Sequence, residues 1–268
     1  MRTDPAQRPH KPCSSRPPRT TAPWSSTRAA SSYGPPDRVP ETWSRGRPRT
    51  GVPAPLPPGR VRVDCHLHTI HSGDAVTRVE HLARRVAEER LDVVCVTDHH
   101  TLNGAHEALE YEIGARVIVG EEVRTYDGEI IGLFLSERIP YVLPLADVVR
   151  RIKDQGGLVY APHPLDTRRT SLGADVLVRM CEEGVLDAVE TLNAKCREPA
   201  RDLGAERIAR HFGLPKGAGS DAHDPQGIGA AYVEMPDFDG PKEFLAALHE
   251  GTISGEFRDY VGYVYPNT

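Results

Sequence analysis

The sequence predicts an α/β domain closed, or nearly closed, into a barrel, and three observations predict it. From residue 60 onward, short apolar runs alternate with longer amphipathic stretches, the pattern of strands followed by helices. About seven such pairs in roughly 200 residues suit a parallel sheet whose right-handed crossovers bring it back on itself. His, Asp and Glu recur at or just after the ends of the apolar runs, and parallel strands present those ends on one rim. An open doubly wound sheet is the alternative that the same alternation allows.

The first 60 of the 268 residues stand apart. They hold 14 of the 24 prolines and 11 of the 33 Lys+Arg, against only Asp4, Asp37 and Glu41. That gives the segment a charge of +8 and leaves −13 to the rest, within a total of −5. Dense proline, high charge and no apolar periodicity cannot offset the entropy of ordering, so residues 1–59 are expected to be disordered. A targeting peptide, a basic arm for nucleic acid and upstream sequence without a role compete for this segment; its prolines oppose the first, and the last is preferred. No apolar run approaches the roughly 20 residues that span a bilayer. The five cysteines are odd in number and show no CxxC spacing, which fits a reduced cytoplasmic protein.

The elements follow in order. Residues 60–66 read as a strand in which Asp64, His66 and His68 share a face. Val79, Leu82, Ala83 and Val86 repeat at helical spacing, so Thr77 to Arg90 reads as a helix. Leu91 to Val96 is a continuous apolar run, as a buried parallel strand requires, and ends in Thr97-Asp98-His99-His100. A helix near 103–111 leads to a strand at 116–119 and then Gly120-Glu121-Glu122. A strand at 130–135 follows Gly128-Glu129. A helix near 145–154, closed by Gly156-Gly157, precedes a strand at 158–161 and Pro162-His163-Pro164. A helix near 174–183 precedes a strand at 187–190 that leads to Asn193. A helix near 199–211 precedes Gly217-Ala218-Gly219-Ser220-Asp221-Ala222-His223. A strand at 230–235 and a helix at 241–249 complete the order.

Two imidazoles at i and i+2 on one strand face, His66 and His68, can grip one ion, and Asp74 can return a carboxylate after a short turn. Asp221 and His223 repeat that logic. Asp98 is placed to hold the His99 imidazole in one tautomer, and Pro162 and Pro164 stiffen the chain at His163. Singly, each is as well explained by a capped strand end. Together they make a set of imidazoles and carboxylates without a cysteine, which suits Zn²⁺, Mn²⁺ or Fe²⁺. Mg²⁺ alone does not call for so many histidines.

The stretches Asp64-Cys65-His66-Leu67-His68-Thr69-Ile70-His71-Ser72-Gly73-Asp74, Thr97-Asp98-His99, Gly120-Glu121-Glu122, Pro162-His163-Pro164 and Gly219-Ser220-Asp221-Ala222-His223 resemble the PHP family, named for polymerase and histidinol phosphatase. They occur in the family's order over about residues 60–225. The resemblance implies a distorted (β/α)7 barrel, a site for two or three divalent ions, and phosphoester hydrolysis. Carried over by position, it groups His66, His68, Glu122 and Asp221 around one ion. Glu122 would bridge to a second ion held with His163, and Asp74, His99 and His223 would hold a third. These eight residues would carry the catalysis. Glu129 stands where many relatives have a histidine; either it is a harder substitute ligand, or the second ion has lost a protein ligand.

Two ions about 3.5–4 Å apart would share and acidify a water, and the resulting hydroxide would attack phosphorus in line with the leaving oxygen. Arg168 or Arg169, beside His163, would neutralise phosphate charge; the alternative is a pair of solvated loop arginines. Arg124 is a weaker candidate, and Arg197 and Arg201 read as exposed helix charges. No residue stands out as the general acid, since His71 and His100 read as surface or rim histidines.

Three functions compete. The first is a phosphomonoesterase acting on a small, nucleotide-like or otherwise phosphorylated metabolite. The second is a 5′–3′ exonuclease releasing mononucleotides from short RNA or DNA. The third is a non-catalytic metal-bound module, for which lost ligands would be expected. The acidic charge from residue 61 onward lacks the basic stripe that holds a long polyanion, which favours small substrates. No membrane association and no protein partner can be inferred.

Overall fold

The computed structural model describes residues 43–45 and 53–257. Its strands are β1 (Trp43–Arg45), β2 (Arg60–Leu67), β3 (Val93–Val96), β4 (Arg116–Arg124), β5 (Glu129–Leu133), β6 (Leu158–Ala161), β7 (Ala188–Asn193), β8 (Lys216–Gly219), β9 (Ala231–Pro236) and β10 (Thr252–Phe257). They form one sheet in the order β1-β10-β9-β2-β3-β4-β5-β6-β7-β8. The helices are α1 (Val79–Glu89), α2 (Asn103–Tyr111), α3 (Leu145–Asp154), α4 (Gly173–Glu183), α5 (Pro199–Phe212) and α6 (Gly240–His249).

Strands β2 to β8 make a nearly closed barrel, and the seam between β2 and β8 is stitched by the chain just after β8. Asp221 N donates to His66 O (2.7 Å), and His68 N donates to Ala222 O (3.0 Å). The buried Asp64 carboxylate adds bonds from Ser220 N (2.9 Å) and Gly229 N (3.1 Å). The strand bearing the first histidines is thus tied to the loop bearing Asp221 and His223.

The expected parallel sheet needs correction. β5 runs antiparallel to both β4 and β6, and β9 antiparallel to β2. The cause is connection length. β4 and β5 are joined by a tight turn in which Thr125 N donates to Gly128 O (2.9 Å). So short a link can only reverse the chain, because a parallel return needs a crossover of a dozen or more residues. The reversal sets Glu129, the first residue of β5, opposite Arg124 at the end of β4. β4 also runs beyond the expected residue 119, since Gly120 to Arg124 find partners on β5.

Residues 43–45 and 53–59 of the segment expected to be disordered fall within the described residues. β1 pairs in parallel with β10, Trp43 opposite Gly255. Residues 53–59 are pinned to the barrel, for Arg62 Nη2 donates to Ala54 O (3.2 Å) and Asp237 N to Gly59 O (2.9 Å). The rest of residues 1–52 lies outside the described residues. β10 was not expected, because Thr252-Ile253-Ser254-Gly255 mixes polar residues and a glycine; pairing with β9 holds it.

The core lies inside the barrel and beneath the helices. Val63, Cys65, Cys95, Ile131, Tyr160 and Met235 belong to one buried cluster. Cys65 and Cys95 are buried there as small hydrophobes. α3 inserts Val148, Val149 and Ile152 into a second cluster, each burial stabilising by about 1.5–3 kcal/mol. Among the described residues, no helix is long and apolar enough to cross a membrane.

Candidate metal centre

His66 stands near the end of β2 and His68 just past it, while Glu122 projects from β4. His163 and Asp221 come from turns just after β6 and β8. Both turn residues have positive φ, 25° and 48° respectively, a backbone that costs a non-glycine residue energy and persists where its surroundings impose it. All five side chains are buried.

Their polar atoms converge on Glu122. His66 Nε2 and His68 Nε2 each lie 3.3 Å from Glu122 Oε2, and His163 Nε2 lies 3.0 Å from Oε1. His66 Nε2 and His68 Nε2 are 3.0 Å apart, with Asp221 Oδ1 at 3.8 and 3.5 Å. His99 Nδ1 approaches Glu122 Oε2 at 3.3 Å, while its Nε2 lies 3.4 Å from Asp74 Oδ2. His223 Nε2 reaches the same Asp74 oxygen at 3.3 Å. Three groups could each hold an ion, with ligand atoms within 4.8 Å of one another: His66, His68 and Asp221; His66, Glu122 and His163; and His68, His99 and His223.

The electrostatics fit cations. Burial would push the His66 imidazole down, but Glu190 and Glu122 pull it up to about 9. The pocket therefore favours positive charge at His66, as a proton or as a metal ion in its place. Burial opposes ionisation of Glu122, yet His66 and His163 hold it well below the usual carboxylate range. Burial and Arg169 lower His163. Burial, His223 and His99 keep His68 well below its ordinary value, so it offers a neutral imidazole. Asp74 is lowered against burial by its bonds to His223 and His99. Imidazole nitrogens and carboxylate oxygens without a thiolate suit Zn²⁺, Mn²⁺ or Fe²⁺.

The PHP domain model matches residues 64–191 and the PHP-associated model residues 203–253. The uncharacterized protein MJ1587 of Methanocaldococcus jannaschii is 37% identical over 150 residues, 52% of this chain and 85% of its own length. The uncharacterized protein MJ0417 of the same organism is 35% identical over 197 residues, 70% of this chain and 79% of its own. The chain belongs to the PHP family. A two-domain protein from Bacteroides vulgatus, containing a predicted PHP-like metal-dependent phosphoesterase, shares the fold with a TM-score of 0.60. It is 18% identical, and the match covers 78% of this chain and 69% of that one. The distorted barrel is thus the PHP fold.

Measured against the PHP pattern, the structure brings His66, His68, Asp74, His99, Glu122, His163, Asp221 and His223 together on one rim. Glu129 lines the same cleft but belongs to none of the three groups. Burial and the nearby Glu122 raise its carboxyl to about 7. Asp98 does not hold the His99 ring. Its carboxylate takes bonds from Thr69 N (2.6 Å), Thr69 Oγ1 (2.7 Å) and Ser72 Oγ (2.8 Å). Adjacent residues along the chain point to opposite sides, which turns Asp98 away from its neighbour's ring.

The cleft above these ligands has a volume of about 440 Å³. Arg168 and Arg169 line it, as do Lys195 and Arg197. Arg169 is no solvated loop residue: it pairs with Asp221, with Asp166 Oδ2 (3.3 Å) and with Asn193 Oδ1 (3.3 Å). Arg168 and Arg197 are exposed at the mouth, whereas Arg201 pairs with Glu198. His71 pairs with Glu107, and His100 stacks on Tyr141; neither lines the cleft.

Sequence reasoning missed Lys195 and undervalued Glu190. Lys195 Nζ lies 3.0 Å from His223 Nδ1 and 3.5 Å from Asp221 Oδ1. Burial beside Arg169 lowers its ammonium to about 7. The one clue was its place two residues beyond Asn193, at the end of β7. Glu190 is buried behind the ligands, with Oε1 3.2 Å from His66 Nδ1 and Oε2 accepting from His163 N (2.7 Å). It orients two ligands from a strand that supplies none of the three groups.

Proposed function

We propose that this chain is a metal-dependent phosphoesterase that hydrolyses phosphomonoesters of a small, nucleotide-like or otherwise phosphorylated molecule in a reducing, cytoplasmic setting. One observation carries the reading. A single cleft has imidazole and carboxylate ligands on its floor and Arg169 and Lys195 on its wall, both reaching Asp221. Cation-holding ligands beside fixed cations match the charge pattern of a phosphoryl group.

His66, His68, Glu122 and Asp221 would hold one divalent ion, Glu122 and His163 a second, and Asp74, His99 and His223 a third. Such ions would supply Lewis-acid polarisation of a phosphoryl oxygen and an acidified water near neutral pH. The chain supplies the positioning. Arg169, fixed by Asp166, Asn193 and Asp221, presents a planar fork that matches phosphate oxygens. Lys195 adds an amine on the same wall, lowered to about 7, whose protonated form a bound phosphate would favour. Preorganised cations of this kind stabilise charge that grows in the transition state without reorganising at that moment. The limited volume of the cleft and the acidic charge of the chain beyond its first 60 residues favour a small substrate over a long polyanion.

The test is phosphate release from a panel of phosphomonoesters, mononucleotides and short oligonucleotides, with Mn²⁺ or Zn²⁺ and with chelator. The expected result is metal-dependent release from at least one monoester, faster than from any oligonucleotide. Faster attack on oligonucleotides would replace this reading with the exonuclease. No release from metal-loaded, folded protein would leave the non-catalytic module.

A further inference from the structure

We infer that Ser72 sets the tautomer of His68 and seats His99, so that one hydroxyl positions two ligands of the metal centre. The inference rests on the metal-centre reading but is independent of the substrate. Ser72 Oγ has three partners: Asp98 Oδ1 at 2.8 Å, His99 N at 3.0 Å and His68 Nδ1 at 2.9 Å. A serine hydroxyl has one hydrogen and two lone pairs. The Asp98 carboxylate, already taking the Thr69 amide and hydroxyl, can only accept, so the Ser72 hydrogen goes to it. The His99 N–H can only donate, so it takes one lone pair. The remaining lone pair faces His68 Nδ1, which must then carry the ring proton. His68 Nε2 is left bare, pointing at the space bounded by His66 Nε2, Glu122 Oε2 and Asp221 Oδ1.

The packing supports the hub. α2 begins directly over Asp98 and Thr69: a Cβ at Gly104 would stand 1.9 Å from Asp98 Oδ2 and 2.2 Å from Thr69 Oγ1. Only a residue without a side chain lets the helix close on this pair. His68 belongs to two of the three ligand groups and His99 to one of them, so the hydroxyl governs both.

The test uses full-length protein labelled with ¹⁵N-histidine and loaded with Zn²⁺, comparing wild type with Ser72→Ala and Ser72→Thr. Wild type should show an exchange-protected Nδ1–H signal for His68. Ser72→Ala should lose or shift that signal while those of His66 and His163 persist. Competition with a chelator should show Zn²⁺ held about 10- to 100-fold more weakly. Ser72→Thr, which keeps the hydroxyl, should restore both signal and affinity. Wild-type signal and affinity in Ser72→Ala would overturn the inference. So would a loss that threonine fails to restore, or loss of all three histidine signals, which would make Ser72 a folding residue.

Discussion

Asp221 is where the two halves of the cleft meet. One oxygen faces His66 and His68, and the other takes the Arg169 ion pair and a bond from Asn193 Nδ2 (3.1 Å). Asp221→Ala and His66→Ala should each abolish hydrolysis while the far-UV circular dichroism spectrum stays that of the wild type. Arg169→Ala should lower kcat/KM about 10²-fold, the usual cost of one preorganised donor. Arg169→Lys should recover little of it, because a point charge cannot replace the fork; recovery to wild-type rates would show that charge alone suffices. Asp202, buried on α5, offers a pH test away from the ligands. Burial raises its carboxyl well above the usual range. A raised acid costs stability once pH exceeds its unfolded value, because only the unfolded chain then ionises freely. Asp202→Asn should therefore gain thermal stability relative to wild type as pH rises from 4 to 8, and show little difference at pH 4. An equal difference at both pH values would contradict the assignment.

At the scale of elements, the side chains that converge in the cleft were legible in the sequence for a chemical reason. Only a few residue types bind hard or borderline cations, and they must sit where strands end, so His66, His68, His163, Asp221 and His223 stood out. The β4–β5 reversal was written there too, in Asp127-Gly128 between apolar runs, a short hairpin cue; the regular alternation elsewhere masked it. Lys195 and Glu190 stayed hidden because a lysine or a glutamate in isolation matches any solvated or capped position. Nothing local in Asp98 reveals that it faces Ser72 rather than His99. The tightness of β8 against β2 yields a sharp test. A Cβ on Gly219 would meet His66 Cβ at 2.3 Å and Glu190 Oε1 at 2.6 Å. Gly219→Ala should cost about 1–3 kcal/mol of stability, as overpacking does, and weaken metal binding with it. A denaturant midpoint unchanged from wild type would show that the seam can open without loss.

At the scale of the whole molecule, one barrel carries the cleft, and β9 and β10 extend its sheet beyond β2. Residues 53–59 hold to Arg62 and Asp237, and a chain beginning at Pro53 keeps these bonds while giving up the short β1 pairing with β10. One beginning at Arg60 should lose about 1 kcal/mol, the worth of a hydrogen bond or so, with activity on small phosphoesters intact. A loss of activity on a mononucleotide would place part of the N-terminal segment in the working enzyme. A salt-sensitive loss confined to oligonucleotides would make it a substrate-capturing arm. The central claim is that convergent imidazoles and carboxylates hold divalent ions that serve phosphoester hydrolysis. Its most direct test is to titrate Mn²⁺ or Zn²⁺ into chelator-stripped, full-length protein while reading bound metal and phosphate release together. Activity should appear as at least two ions bind, and His66→Ala and Asp221→Ala should lose ions and activity in step. Phosphate release with less than one bound ion, or unchanged in either variant, would contradict it.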